Sequence, residues 1–573
     1  MTGLSLSSRH AAAGSAAIWR LLAALVAVGG STALLLYFHD RFWWGPDEGA
    51  YAHVAQRILH GEVLNRDVQD MHAGYINFAN ALAFRLFGED LLSLRYPPVV
   101  LGIVQAYLIF RTVEPRGAFA AAAAALALTS LSFIQFLNPT ANWYALFLAV
   151  VVTWMLARVD RTRPLVIETI GFLLVTTFLF RQLTGVIVAI GAVAWLLLDM
   201  QRRDRAPPGR LAPALFALMA FGLLLHLLRK NDVIDWLLFG VCPLAILARA
   251  GLSVRIDDKR VLSLVARLLI GGAVGLLPLV FYHLWHGSLL SWLDDMVGGA
   301  LALSDMPFTR RPLYAAMALL SLQQVLTFET LARVLNGLLW LSLLAIPTVN
   351  GIAALRATGN QSAPHPLLFM AAFHALVSTF HQLPLYLMTS SGLSLAALVW
   401  SAVALGPRWR VAAMAGAGAL AVIAVHYQAA EPIRMVSDSI AGTRGDRPVD
   451  STLPRVSLKI DPSELRDHAA LSALIERETP ADAAILAVPF DPQLYFISGR
   501  RNPARFYNTA IGIRDEASLA ATLDVLERDP PRLLFHRADD KYNTDWSRRL
   551  VAALLPHYEK FDRVGELDVY RRR

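Results

Sequence analysis

Thirteen apolar runs occupy most of the first 430 residues of this 573-residue chain. A helix of roughly 17–25 residues crosses the hydrocarbon core of a bilayer, and the shortest runs are close to that lower limit. Because lipid offers the backbone no hydrogen-bond partners, a run that crosses it must be helical. The chain is therefore predicted to be a polytopic α-helical membrane protein with about thirteen transmembrane helices. The runs lie at about 16–38, 92–111, 117–137, 143–158, 164–181, 183–200, 210–228, 233–250, 261–285, 331–354, 365–388, 390–406 and 409–428.

The distribution of charge agrees with this class. Hydrophobic residues make up 56% of the chain and charged residues 17%, and the net charge is +8. The basic residues cluster in short loops between apolar runs, which is the positive-inside pattern of membrane proteins and not a nucleic-acid-binding surface. The single cysteine, Cys242, excludes an intramolecular disulfide. The first apolar run is too long for a signal-peptide core and no clear cleavage site follows it, so we interpret it as an uncleaved span.

Loop charge also predicts the orientation. Arginines precede the first run, and basic loops recur at 111–116, 158–163, 202–210, 249–260 and 408–410. With thirteen spans all of these lie on one side, which we assign to the cytoplasm together with the N-terminus. Arg229 and Lys230 are the exception and face outward. We interpret 313–327 as a surface helix, because a further span there would reverse the sides of everything after it.

This topology predicts two domains. Residues 1–430 form the transmembrane domain, with a first outer loop at 39–91 that carries two membrane-surface helices and a second outer loop at 286–330. Residues 431–573 lack long apolar runs and form a soluble outer α/β domain. Apolar patterning in that tail predicts a helix at 464–478 and strands at 483–489, 494–497, 532–536 and 567–571.

An acidic pair stands where the chain leaves the first span. Pro46 suits the first turn of a helix, and Asp47 and Glu48 follow it, where the helix dipole favours ionised carboxylates. Tyr51 continues an apolar face at helical spacing. Taken alone, the acids are readily explained as helix caps.

The first outer loop resembles that of the membrane-embedded C-type (GT-C) glycosyltransferases, in particular the protein O-mannosyltransferase and aminoarabinose transferase group. The resemblance is specific over roughly residues 40–115 and thinner afterwards. Part of the tail, 489–506, also resembles tails of bacterial members of the group. The matching residues are Asp47-Glu48-Gly49-Ala50-Tyr51, Ala55, Gly61, Asp67, Phe87-Gly88, Leu94-Arg95 and the span near Pro97.

The resemblance implies transfer of a sugar from a polyprenyl-phosphate-linked donor at the outer face of a bacterial inner membrane. Such chemistry needs a carboxylate that takes the acceptor proton or holds a metal, and cations that stabilise the departing phosphate. The resemblance gives Asp47 the role of base, with Glu48 beside it. Candidates for the lipid phosphate are Arg181, Gln182, Arg95 and Arg85. The acceptor stays open among an envelope glycan, a lipid and a protein, and membrane lipid surrounds the site.

Other polar residues are candidates to line the substrate cavity: Tyr51, Asp67, His72, Asn142 and His381. Many relatives have a second acidic residue near the turn 138–142, where this chain has asparagines, so a divalent metal is possible but not specified. The sequence has no cluster with the spacing of a zinc site. In the tail, Tyr495, Arg500 and Arg505 either line the route of the acceptor or belong to a purely structural cap.

One alternative class remains, a polytopic transporter or flippase with an outer accessory domain. Transporters usually have internal repeats and interrupted helices at matching positions. We find no convincing repeat between the two halves, and the polar residues cluster at outer span ends. The sequence therefore favours an enzyme at the membrane interface.

Overall fold

The computed structural model describes residues 4–201, 209–230, 232–358, 364–430 and 448–573. Helices dominate up to residue 430. They are α1 (Leu4–Phe38), α2 (Gly45–Leu59), α3 (Tyr75–Phe87), α4 (Tyr96–Val113), α5 (Ala118–Ser130), α6 (Ala141–Arg158), α7 (Val166–Phe180), α8 (Gln182–Gln201), α9 (Leu211–Lys230), α10 (Val233–Ser253), α11 (Asp258–Trp285), α12 (Leu289–Asp294), α13 (Ala300–Asp305), α14 (Leu313–Thr327), α15 (Leu331–Thr358), α16 (Pro366–His374), α17 (Pro384–Ala404) and α18 (Pro407–Ala430).

The chain is a multi-span helical membrane protein. Over the described ranges, eleven helices are long and apolar enough to cross a bilayer. Two further helices, Val166–Phe180 and Pro366–Thr379, occupy predicted runs but are shorter than a full span. All thirteen predicted runs are thus helical. The helix α14 is also apolar and short, and its position at the membrane surface stays a prediction.

One predicted boundary is wrong. The runs 365–388 and 390–406 were expected to meet near residue 389, but the break lies at 380–383 and α17 begins at Pro384. Proline has no N–H to donate and its fixed φ suits the first turn of a helix. Hydropathy does not detect this break, because the residues on both sides of it are apolar.

The first outer loop contains two helices, as predicted. α2 begins at Gly45, with Pro46 in its first turn and both acids, Asp47 and Glu48, in the same turn. α3 follows a turn at Gly74, whose φ of 123° is accessible to glycine at little cost. Their location on the membrane surface stays a prediction.

The C-terminal region is α/β. A two-stranded sheet pairs β1 (Val449–Asp450) with β2 (Lys459–Ile460). A four-stranded sheet has the order β3-β4-β6-β5, in which β3 is parallel to β4 and the other pairs are antiparallel. Its strands are β3 (Ile485–Val488), β4 (Leu533–His536), β5 (Tyr558–Val564) and β6 (Leu567–Arg572). Its helices are α19 (Pro462–Glu478), α20 (Gln493–Ser498), α21 (Thr509–Gly512), α22 (Glu516–Arg528) and α23 (Asp545–Leu554).

The predicted tail elements are confirmed except one. The run 494–497 was expected to be a strand and is instead part of α20. A short apolar run does not distinguish a strand from a buried helix. The local signals favour a helix, because Pro492 precedes it and Gly499 ends it in the left-handed conformation.

The tail packs directly against the first outer loop. The Phe42 amide donates to the Lys459 carbonyl (2.8 Å), and the Lys459 amide donates to the Asp40 carbonyl (2.6 Å). α20 lies so close to α2 that a Cβ on Gly49 would be 2.3 Å from the Gln493 backbone nitrogen. The start of α2 is therefore enclosed between the transmembrane helices and the tail.

Candidate functional site

The turn that begins α2 is held by one buried arginine. The Arg95 Nη2 atom donates to Glu48 Oε1 (2.7 Å) and to the Phe42 carbonyl (2.6 Å), and Nη1 donates to the carbonyls of His39 (3.0 Å) and Arg41 (2.9 Å). Burial raises the pKa of Glu48 to about 6 despite the opposing charge of Arg95. Glu48 and Arg95 thus fix the backbone from which Asp47 projects. A phosphate ligand at Arg95 would have to replace these bonds.

Asp47 lies at the centre of the polar cluster. Its Oδ2 accepts a hydrogen bond from the Asn138 amide at 3.3 Å, which joins the first outer turn to the second. Burial raises the pKa of the Asp47 carboxyl above its usual range, and the charges of Lys541 and His72 oppose the shift. A carboxylate of raised pKa is a better proton acceptor than an exposed one.

An aspartate–histidine pair stands beside Asp47. His72 Nδ1 lies 2.7 Å from Asp70 Oδ1, and the Tyr507 hydroxyl donates to Asp70 Oδ2 at 3.0 Å. These contacts with His72 and Tyr507 lower the pKa of Asp70, although its burial opposes them. The His72 ring lies 5.6 Å from the ring of Tyr51. The pair therefore leaves Nε2 as the ring nitrogen available to a substrate.

Arg181 follows α7 directly and lies over two aromatic rings. Its guanidinium carbon is 5.3 Å from the Phe380 ring centroid and 5.0 Å from that of Tyr386. No carboxylate pairs with Arg181 within the described part of the chain. Gln182 has a different role, since its side chain donates to the Met71 carbonyl at 2.8 Å and holds the loop that carries His72.

An aromatic wall faces this cluster and includes residues of the tail. The Phe308 ring lies 5.6 Å from His381 and 5.2 Å from Tyr542. Lys541 Nζ lies 5.0 Å from the Phe308 ring centroid. Burial and nearby cations, Lys541 first among them, lower the pKa of His381 to about 4, so its ring is neutral at physiological pH.

An apolar groove lies among the helices that carry Tyr144 and Phe180. It has a volume of about 410 Å³ and lies between α3, α4, α6 and α7. Two of its lining rings, those of Tyr144 and Phe180, stack at 4.9 Å, and Tyr51 packs against the same group. Phe180, which lines the groove, directly precedes Arg181 in the chain, and the charge of Arg181 acts on Tyr51 of the same group.

Three other predicted residues lie in different surroundings. The Asp67 carboxylate accepts two hydrogen bonds from Arg66 (both 2.9 Å) and one from the Val63 amide (2.8 Å), so it closes a local turn. Arg85 is exposed on α3. Asn142 is buried in the first turn of α6, where its amide side chain donates to Thr140, and Thr140 caps the helix. The side-chain oxygen of Asn142, Oδ1, has no hydrogen-bond partner over the described ranges.

The tail residues Tyr495, Arg500 and Arg505 have packing contacts. The Tyr495 ring lies 4.8 Å from His53 of α2. Arg500 donates to Thr479, and Arg505 pairs with the buried Asp295 of the second outer loop. Contacts of this kind are expected if these residues belong to a purely structural cap and do not line the route of the acceptor.

Several residues of the cluster were not predicted from the sequence. Asp70 stands two positions before His72, a spacing that signals a local carboxylate–imidazole pair, and this signal was available. Tyr507, Lys541 and Tyr542 are more than 400 positions from Asp47. Nothing in the sequence marks them, because a single sequence carries no record of contacts at that separation.

The cluster does not fit a metal ion. Over the described ranges no three His, Cys, Asp or Glu side chains form a group that could hold one. Asp70 is already engaged by His72 and Tyr507, and Asp47 accepts from an amide.

Comparison with known proteins gives similarity to solved structures. No protein-family model and no curated protein sequence matches the chain. ArnT from Cupriavidus metallidurans bound to undecaprenyl phosphate is 12% identical, with a TM-score of 0.39 over 97% of this chain and 98% of that one. An oligosaccharyltransferase from Archaeoglobus fulgidus, in complex with zinc and sulfate, is 13% identical, with a TM-score of 0.45 over 97% of this chain and 73% of that one. Both have the C-type glycosyltransferase fold. Since neither score reaches 0.5, the function of this chain has to be argued from its own residues.

Proposed function

We propose that this protein is an integral-membrane glycosyltransferase that moves a sugar from a polyprenyl-phosphate-linked donor to an acceptor. The observation that carries the proposal is a set of three features: an apolar groove, an arginine that directly follows the groove residue Phe180, and the enclosed carboxylate of Asp47. The groove suits the lipid chain of the donor, the arginine suits its phosphate, and the carboxylate suits the hydroxyl of the acceptor. The resemblance of residues 40–115 to C-type glycosyltransferases supports the same conclusion.

The groove fits the polyprenyl chain. Its lining is almost entirely apolar, and Val100 and Phe87 on its rim are exposed. Such a surface is stable only against lipid or a lipid-like ligand. A chain lying in the groove has its phosphate end at Phe180 and therefore beside Arg181.

Arg181 then binds the phosphate of the donor. A guanidinium matches the geometry of phosphate oxygens and forms charge-assisted hydrogen bonds with them. In the transition state the bond from the anomeric carbon to the phosphate oxygen breaks, and the polyprenyl phosphate leaves with a growing negative charge. Arg181 stabilises that charge where it develops.

Asp47 acts as the base. The acceptor hydroxyl attacks the anomeric carbon, a new carbon–oxygen bond forms, and its proton passes to the Asp47 carboxylate. Asn138 orients that carboxylate at 3.3 Å, and Glu48 with Arg95 fixes the turn. His72, held by Asp70, offers Nε2 to the sugar or the phosphate.

We assign the site to the outer face of a bacterial inner membrane. The positive-inside pattern supports a cytoplasmic N-terminus and an outer first loop. The tail packs on that loop and therefore lies on the same side, in the periplasm. A lipid-linked donor reaches this face within the membrane and needs no soluble nucleotide sugar.

A transfer assay in nanodiscs tests the proposal. A panel of polyprenyl-phosphate sugars is offered with candidate acceptors, and release of free polyprenyl phosphate is measured for wild type and Asp47→Asn. We expect release with one donor, reduced at least about 100-fold by Asp47→Asn. The matched control is Asp524→Asn, which removes an exposed carboxylate of α22 paired with Arg528.

Near-wild-type release by Asp47→Asn excludes Asp47 as the base. Transport is measured separately, in proteoliposomes. If a lipid-linked sugar crosses their membrane without any release of polyprenyl phosphate, the result supports the transporter alternative instead.

A further inference from the structure

A second cavity lies at the ends of α7 and α8 that are remote from Arg181. It has a volume of about 240 Å³ and is lined by the connection after α6, by both of these helices and by the first three turns of α11. Arg181 joins the opposite ends of α7 and α8. A helix of 15 residues, the length of α7, is roughly 22 Å long. The cavity is therefore separate from the site proposed for sugar transfer.

Arginine side chains form the polar part of this cavity. Among the described residues that line it, Arg161, Arg260 and Arg267 are basic and Asp199 is acidic. The neighbouring chain segments 158–163 and 255–260 contain six basic and three acidic residues. This end of the helices therefore has an excess of positive charge. An anion bound in the cavity lowers the repulsion among these cations.

Ion pairs hold two of the three guanidinium groups in place. Arg267 donates from Nε to Glu168 Oε1 at 2.6 Å and from Nη2 to Glu168 Oε2 at 2.8 Å. Within the part of the chain that the structure describes, these bonds leave Nη1 of Arg267 without a partner. Arg161 donates from Nε to Asp199 at 3.2 Å and lies 4.8 Å from the ring centroid of Trp195. A guanidinium fixed in this way loses little conformational entropy when it binds a phosphate.

The position of Arg267 indicates a binding site and not only a surface ion pair. Arg267 lies in the third turn of a helix that is long and apolar enough to span the membrane. Ionisable side chains at such positions are rare, and by default they indicate a functional site. The wall that carries the pair is rigid, because a Cβ on Gly271 would lie 1.7 Å from the Glu168 carbonyl oxygen. α7 and α11 are thus in backbone contact beside the cavity.

The surroundings of the arginines are apolar. Ile167, Leu196 and Leu264 line the same cavity. On α11 the neighbouring side chains Leu262 and Ile270 are exposed, as expected for a helix face in contact with acyl chains. A ligand that uses the whole cavity therefore has an anionic group and an apolar body.

We propose that this cavity binds the phosphate of an anionic phospholipid, whose acyl chains lie along α11. The phosphate oxygens accept hydrogen bonds from Arg267 Nη1 and from the exposed Arg260, and the exposed Ser263 hydroxyl serves the polar part of the headgroup. A soluble phosphate ester carries the same anion but gains nothing from the apolar lining. By the orientation proposed above this end faces the cytoplasm, where basic pockets between spanning helices bind such headgroups. The inference goes beyond the proposed transfer reaction and does not depend on it.

Lipid binding to the full-length protein in detergent, measured by native mass spectrometry, tests the proposal. Phosphatidylglycerol and phosphatidylcholine with the same acyl chains are compared. We expect wild type to bind phosphatidylglycerol at least about tenfold more tightly, because the arginines form charge-assisted hydrogen bonds with an anionic headgroup. Arg181→Gln keeps this affinity within about twofold of wild type, since Arg181 lies at the other end of the helices.

Two variants of the cavity are each paired with a control. Glu168→Gln/Arg267→Gln removes the ion pair without leaving an unpaired charge and weakens phosphatidylglycerol binding about tenfold. Its control, Glu329→Gln/Arg333→Gln, removes an exposed ion pair at the start of α15 and leaves the affinity unchanged.

Ser263→Trp fills the cavity and keeps both ion pairs, so its result holds even if the double variant does not fold. It is expected to weaken phosphatidylglycerol binding about tenfold. Its control is Leu262→Trp, at an exposed neighbouring position outside the lining.

Three results would overturn the proposal. The first is equal affinity of wild type for the two lipids. The second is loss of phosphatidylglycerol binding in Arg181→Gln while Ser263→Trp binds normally, which assigns the lipid to the apolar groove. The third is displacement of phosphatidylglycerol by glycerol phosphate at the same concentration, which assigns the cavity to a soluble phosphate ester.

Discussion

Arg95 Nη2 and Glu48 Oε1 form an ion pair of 2.7 Å in which both side chains are 0% exposed. Arg95 comes from the segment before α4 and Glu48 from the first turn of α2, so the pair joins the two ends of the first outer loop. Such a pair does little for stability when compared with apolar side chains, yet breaking it leaves a buried charge. Its effect here is geometric, because it fixes the orientation of the neighbouring Asp47.

We expect substitution of one partner to be strongly destabilising. Arg95→Met leaves three backbone carbonyls without their donor and leaves the buried Glu48 with only the Trp44 amide at 3.3 Å, and the cost is roughly 3–5 kcal/mol. The double variant Glu48→Gln/Arg95→Met removes both charges and costs less than the sum of the two single substitutions. Thermal unfolding in detergent measures all three. Strict additivity would mean that the pair is not coupled.

The pH dependence of transfer reports on Asp47. The base is active when deprotonated, so kcat/KM falls as pH falls through its pKa, which burial raises above the usual value. Lys541 opposes that shift, so Lys541→Gln raises the pKa further and moves the acid limb of the profile to higher pH. The control variant Lys560→Gln, on strand β5, leaves the acid limb of the kcat/KM profile at the wild-type pH. A limb that moves down in Lys541→Gln contradicts this electrostatic relation.

Gly49→Ala tests the contact between the first loop and the tail. The added Cβ would lie 2.3 Å from the Gln493 nitrogen and 2.4 Å from its Cα, so α2 and α20 must move apart. We expect faster cleavage of the tail by protease and a clear loss of transfer. Gly29→Ala in α1 is the control, because its Cβ meets nothing within 4 Å and alanine favours the helix by about 0.5–1 kcal/mol.

The lipid groove is tested by filling it. Val100→Trp adds a large ring to the wall of the 410 Å³ groove and is expected to raise the KM for the donor at least about tenfold with little change in kcat, since the loss is in ground-state binding. Val104→Trp, one turn further along α4 on an exposed position outside the groove, is the matched control. Equal effects of both variants would exclude the groove as the donor site.

The sequence predicted the parts of the fold that depend on local composition. All thirteen apolar runs are helices, and the acidic pair does begin α2 behind Pro46. The contacts within the candidate site depend on tertiary packing and were not predicted in the same way. Arg95 belongs to a motif shared with the C-type glycosyltransferases and lies near the end of a span, and on these grounds it was a candidate to bind the lipid phosphate. Its burial against Glu48 depends on tertiary packing, which a single sequence does not reveal. Lys541 and Tyr542 come from the far end of the chain and interact electrostatically with Asp47, and no periodicity or motif encodes such a relation.

The backbone bonds between residues 40–42 and Lys459 bear on how the protein is made. A ribosome completes the first outer loop long before it reaches the tail, and domains generally fold in the order in which they emerge. Here the first loop lacks its partner until the membrane helices and the tail have been synthesised. We therefore expect α2 to acquire its final position last, which keeps the protein inactive throughout its own synthesis and makes activity a property of the finished chain.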